Sequence, residues 1–113
     1  MKRQGTVAID FLPDGSSVPM DFGRLIEVNN VSVSDLAEWC NCSRAYVYNL
    51  INGRHNPIAV SYVHVTNFAT FLDEEPVVVY NAIVESYESK RIWCETLGKW
   101  MLPEEIIEVN KSE

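Results

Sequence analysis

Residues 33–57 are VSDLAEWCNCSRAYVYNLINGRHNP. This stretch encodes two short helices with almost nothing between them. Ser34 stands before Asp35-Leu36-Ala37-Glu38-Trp39-Cys40, where a hydroxyl can accept from the open amides of a helix start, and Asp35 and Glu38 complement its positive end. The spacing predicts a helix over 34–41. Ser43 is placed to cap a second helix over 43–52, because Val47, Leu50 and Ile51 fall on one stripe and Gly53 follows as a stop. Only Asn41-Cys42 separates the two.

Upstream, Phe22, Leu25 and Ile26 give a helix face over 21–29, closed by Asn29-Asn30. Before that, Val7, Ile9 and Phe11 alternate with Thr6, Ala8 and Asp10, the period of a half-buried strand, and Pro13-Asp14-Gly15-Ser16 supplies a turn. Residues 1–20 therefore read as a strand or small hairpin. Downstream, a helix is expected over 61–72 with Val65, Phe68, Ala69 and Leu72 inward, although the β-branched Val60, Val63 and Val65 oppose it. Pro76 after three acids starts a fifth helix to about Lys90, with Tyr80, Ile83, Val84 and Tyr87 on one face. Beyond it the signals conflict. Trp93, Leu97, Trp100 and Met101 have helical spacing, yet Ile92-Trp93-Cys94 and Trp100-Met101-Leu102 around Gly98 fit a hairpin, and a strand at Trp100–Leu102 is favoured. Strand Thr6–Leu12 is a candidate to pair with it. Pro103-Glu104-Glu105 starts a last short helical turn.

The 113 residues, 47% hydrophobic and 22% charged, suit one mainly α domain with a real core. The organisation expected is an N-terminal strand or hairpin (1–20), a helical domain (21–75) and a C-terminal helix and extension (76–113). No apolar run reaches the ~18–20 residues that span a bilayer, and Lys2 and Arg3 lead into alternating residues rather than a secretory segment, so a cytoplasmic, membrane-free protein is expected. Cys40, Cys42 and Cys94 are odd in number and lack Cys-x2-Cys spacing, and His55 and His64 share no ligand cluster; reduced thiols, no metal and no cofactor are expected. There is no nucleophile–base order and no Gly-rich phosphate loop, which argues against an enzyme. The net charge of −7 is uneven: residues 1–58 carry five basic and six acidic side chains, residues 59–113 four and ten.

Leu36-Ala37, Val47, Leu50, Asn52-Gly53-Arg54 and Asn56-Pro57 together resemble the Cro/repressor-type helix-turn-helix of the XRE family, the lambda-repressor-like DNA-binding domain, over about residues 21–75. The chain departs from that family at three places. Asn41 stands where the turn usually has glycine, and asparagine is the residue that best replaces it in a left-handed backbone. Ile26 and Ile51 stand where a buried arginine and glutamate often pair, a joint change that packed apolar residues tolerate. Ile58-Ala59-Val60 lengthens the loop before the fourth helix by about three residues.

The resemblance implies a five-helix domain that reads duplex DNA with helix 43–52, as a small repressor of phage or plasmid type. Arg44, Ala45, Tyr48 and Asn49 lie opposite the apolar stripe. Arg44 can fork onto guanine, Asn49 can pair with adenine and Ala45 can touch a thymine methyl. Ser43, Asn52, Arg54, His55 and Asn56 sit at the helix ends, where phosphates are commonly held, or else serve as ordinary caps. Tyr46 either stacks on the DNA backbone or packs on the second helix. Trp39 covers the core, Cys40 points inward, Cys42 is half-exposed, and His64 is a helix-face residue. A homodimer through the C-terminal half is expected from Tyr80, Tyr87, Trp93 and Trp100. The alternative is a protein-binding module that has kept the fold, such as a phage-type inhibitor, antirepressor or antitoxin-like partner, docking through the acidic C-terminal half. An acidic chain, pI about 4.7, lacks the basic surplus on which non-specific DNA affinity rests. The two readings separate on whether Arg44, Asn49, Arg54 and Asn56 share one face free of carboxylates.

Overall fold

The computed structural model describes residues 8–111. It is a mainly helical domain with two small antiparallel hairpins. Strands β1 (Ile9–Phe11) and β2 (Ser17–Pro19) precede helices α1 (Phe22–Val28), α2 (Val33–Trp39) and α3 (Arg44–Ile51). A 3-10 turn (Pro57–Ala59) leads into α4 (Tyr62–Leu72) and α5 (Pro76–Ser89), followed by β3 (Ile92–Cys94), β4 (Lys99–Met101) and α6 (Pro103–Lys111). All five expected helices are present.

One core joins α1 to α5. Phe22, Leu25 and Ile26 of α1, Leu36 and Ala37 of α2, and Val47 and Leu50 of α3 are buried with Val65, Phe68, Ala69 and Leu72 of α4. Helix α5 adds Val78, Val79, Ala82 and Ile83 to the same cluster, so it belongs to this core, and the extension begins only after it. The buried stripe of α5 runs through Val79, Ile83 and Ser86, whereas Tyr80 is exposed and Val84 and Tyr87 are half-buried. The sequence face Tyr80-Ile83-Val84-Tyr87 was displaced by one position because Ser86, a polar residue, occupies the innermost point. Its hydroxyl accepts from the Phe22 amide at 2.8 Å, satisfying a donor that the start of α1 leaves open.

Other boundaries follow local hydrogen bonds. Ser32, not Ser34, caps α2: its hydroxyl accepts from the Asp35 amide at 3.0 Å, so the helix starts one turn-position earlier than expected. The cap at Ser43 falls where the serine was read, and Ser61, expected as the first residue of its helix, is the cap of α4. Helices α1 to α4 all close with a residue in the left-handed region, respectively Asn30, Asn41, Gly53 and Asp73. In α2 the Asn41 amide donates to Glu38 O and the Cys42 amide to Ala37 O, the paired bonds that use up the last carbonyls of a helix. Asn41 thus makes the turn between α2 and α3 without glycine.

The strands correct one expectation and bear out another. β1 pairs with β2 (Ile9 opposite Pro19), and β3 with β4 (Trp93 opposite Trp100), so the N-terminal strand does not pair with residues 100–102 within the chain. Pro13-Asp14-Gly15-Ser16 closes its own hairpin, and a local turn reaches its partner at far lower entropic cost than a strand about 90 residues away. Thr6 and Val7 lie outside the described residues. Residues 92–101 are a hairpin rather than a helix, with Gly98 at φ +63° in its turn. α6 is a full nine-residue helix, not a single turn, and Glu105 accepts from the Leu102 amide at 2.9 Å to cap it.

Candidate nucleic-acid interface

Helices α2 and α3 are two short helices joined through Cys40–Ser43, with α3 seated on the core by Val47 and Leu50. Ile51 is half-buried against Gly23 of α1, whose missing side chain leaves room for it: a Cβ there would lie 3.0 Å from Ile51 Cγ2. Ile26 is buried as well, so neither isoleucine at the expected ion-pair positions is left in solvent.

With that face buried, the opposite one is open. Arg44, Ala45 and Tyr48 are exposed, Asn49 is half-buried, and among the described residues no hydrogen bond or ion pair engages the side chains of Arg44, Tyr48 or Asn49. Ser43 and Asn52 bracket the helix as its caps. Arg44 borders a shallow depression shared with Ser34, Ala37, Glu38 and Cys42, which brings one carboxylate to the same surface.

The residues beyond α3 are more committed. Asn56 accepts from the Ile58 amide at 3.0 Å and caps the 3-10 turn that absorbs the three extra loop residues. Arg54 is paired with Glu104 of α6, Nη2 to Oε1 at 3.3 Å, so the surface at this end of α3 is not free of carboxylates. Tyr46 is half-buried against the core, and its ring sits between His55 (5.1 Å) and His64 (5.0 Å). Burial, and secondarily Cys42, raise its phenol pKa above the ordinary tyrosine value. His64 also stacks on Phe68, so it is an aromatic spacer between Tyr46 and the core. Trp39 is exposed and covers Phe71, ring centroids 5.5 Å apart.

Two residues that local sequence patterns do not single out hold α3 in place, and a third reaches the residue just past its end. Arg91 donates from Nη1 to Gly53 O (2.7 Å) and Tyr87 O (2.8 Å), and its guanidinium lies 3.5 Å over the Tyr87 ring. Ser86 O presses against Gly53 from α5. Glu104 completes the set through Arg54. Their partners lie 33 to 50 residues away, beyond the reach of any spacing rule; the serine within the apolar stripe of α5 was the one available signal.

The three cysteines are free thiols, Cys40 and Cys94 buried and Cys42 half-buried. Burial, with a smaller contribution from Cys42, pushes the Cys40 thiol up to about 11. The unfolded chain therefore ionises this group first: its contribution to stability is intact below about pH 9 and is lost as pH rises toward 11. At pH 8, iodoacetamide is expected to modify Cys42 well before Cys40 in the folded protein; equal rates would contradict the burial that sets this difference. Among the described residues no group of three or more His, Cys, Asp or Glu side chains is placed to hold a metal ion. No helix among them is long and apolar enough to cross a membrane.

The chain matches no protein-family model, and comparison with curated proteins and with solved structures gives no match.

Proposed function

We propose that this protein is a sequence-specific DNA-binding regulator of the XRE-type helix-turn-helix kind, which reads the major groove with α3. The observation that carries the proposal is the outward face of α3: Arg44, Ala45, Tyr48 and Asn49 project from a helix whose other side is buried, and the three polar side chains are uncommitted. A helix this short, set by a tight turn on a second helix, presents its first residues to base edges. Arg44 at the first position has the donor fork that matches guanine O6 and N7. Asn52 sits where it can hold phosphate, whereas the side chains of Ser43 and Asn56 are engaged as caps and Tyr46 supports from behind. Such a regulator acts in the cytoplasm and needs no cofactor. Methylation protection tests the proposal: bound protein is expected to shield guanine N7 in the major groove, and a duplex whose N7 positions stay fully reactive while bound overturns the assignment of α3.

A second reading, a protein-binding module that does not engage DNA, is favoured by Glu104 on Arg54 and by Glu38 beside Arg44, since both put negative charge next to the reading face. Methylation protection separates the two.

Pairing belongs to the same proposal, because one eight-residue helix reads few base pairs and two half-sites a helical turn apart extend the site. Of the aromatics beyond the helical core, Tyr87 is covered by Arg91, and Trp93 and Trp100 face each other across the hairpin, centroids 5.6 Å apart. A second apolar surface is the groove lined by Val60, Tyr62, Val65, Pro76, Val77 and Tyr80, whose lining bears no charged side chain. A chain of net charge −7 meets its own copy with least repulsion at such a neutral surface. Sedimentation at micromolar concentration is expected to show a dimer; a 12.9 kDa monomer with and without DNA contradicts it.

A further inference from the structure

The C-terminal helix α6 begins beside the far end of α3, and its start is fixed. Met101 and Leu102, immediately before it, are buried, and Glu105 caps the Leu102 amide. Glu104 is thereby held where its carboxylate reaches Arg54, just past the end of α3, the site at which a basic residue of a DNA-reading helix meets phosphate. A carboxylate in that position offers the same charge and acceptor oxygens as a phosphate. Both partners are about half exposed, with side-chain accessibilities of 55% and 56%, so the pair is screened by water and can be exchanged.

We propose that Glu104 is an intramolecular phosphate surrogate: α6 occupies Arg54 in the free protein, and DNA must displace it. The proposal rests on the DNA reading above and adds to it a gate supplied by the chain itself. The gate restrains a backbone contact, not a base contact, because Arg44 and Asn49 are left open. It therefore lowers affinity for every duplex by a similar factor. A state that draws α6 away, through a partner or a change in the hairpin, releases Arg54 and strengthens binding without altering which sequence is preferred.

The test is a double-mutant cycle with the full chain, using a duplex selected by the parent protein and a random duplex of equal length. Exposed ion pairs set the scale, so Glu104→Gln is expected to tighten binding to both duplexes about two- to fivefold. In an Arg54→Ala background the same change is expected to have less than about half that effect, since the residual gain is only relief of general repulsion. Glu104→Lys, which adds a cation beside the backbone, is expected to tighten binding further and to steepen its salt dependence. Equal gains from Glu104→Gln with and without Arg54 overturn the gate while leaving the DNA reading intact. Specific binding by the parent with no gain from either Glu104 variant does the same. Failure of the parent and all variants to bind any duplex overturns the DNA reading and the gate together.

Discussion

Gly53→Ala is expected to destabilise the protein by about 4 kcal/mol, or to prevent folding at 37 °C, because two independent costs meet at one atom. Gly53 closes α3 at φ +71°, and an L side chain in that region costs about 1–2 kcal/mol. Asn30, Asn41 and Asp73 bear a similar cost at the ends of α1, α2 and α4, so the conformation alone does not demand glycine. What demands it is α5. A Cβ on Gly53 would come within 2.4 Å of the backbone carbonyl oxygen of Ser86, which cannot rotate aside as a side chain would. Relieving that contact moves α3 away from α5 and strains the bond from Arg91 to Gly53 O as well as the buried bond from the Phe22 amide to Ser86. Gly15 is the control: at φ +90° with nothing within 4 Å of its added Cβ, Gly15→Ala is expected to cost only the conformational part, about 1–2 kcal/mol. Chemical denaturation of both variants measures the difference. Equal losses at the two sites would mean that α5 does not press on α3 as described.

Arg44→Ala is expected to lower affinity for a selected duplex about 5- to 150-fold, the range corresponding to one lost bidentate base contact of about 1–3 kcal/mol. Binding to random duplex is expected to fall much less, so the variant loses preference more than attraction. The fold should be unaffected: Arg44 is exposed, engages no partner among the described residues, and gives up its place to alanine, the best helix former. An unchanged melting curve with collapsed selectivity is the expected pair of results. An unchanged selectivity would remove α3 from the reading of bases and favour the protein-binding alternative.

The parts of this fold that were legible in sequence are those set by neighbours a few residues apart. Phe22, Leu25 and Ile26, then Val47 and Leu50, then Val65, Phe68, Ala69 and Leu72 were readable as inward faces because helical period places them on one side. Asn41 was readable as a turn for the same local reason. Ser34 was mistaken for the cap of α2 because Ser32 and Ser34 satisfy the same local pattern, and only the bond from the Asp35 amide distinguishes them. In α5 the aromatic and aliphatic residues suggested a face one position away from the buried one, since no periodicity rule anticipates a serine at the innermost point, where it serves α1. The candidate site divides in the same way. Its outward residues follow from the position of the apolar stripe on α3. The carboxylate on Arg54 arrives from 50 residues away on a helix read as a single turn, and so the mixed charge of this face was not visible.

Whether α3 reads sequence is measured by selection from a pool of random duplexes. The full-length protein is expected to enrich a defined motif over successive rounds, with guanine as its most strongly fixed base and with two half-sites spaced about one helical turn apart if the chain pairs. A pool that emerges with no sequence enriched over its starting composition would contradict the DNA-binding account.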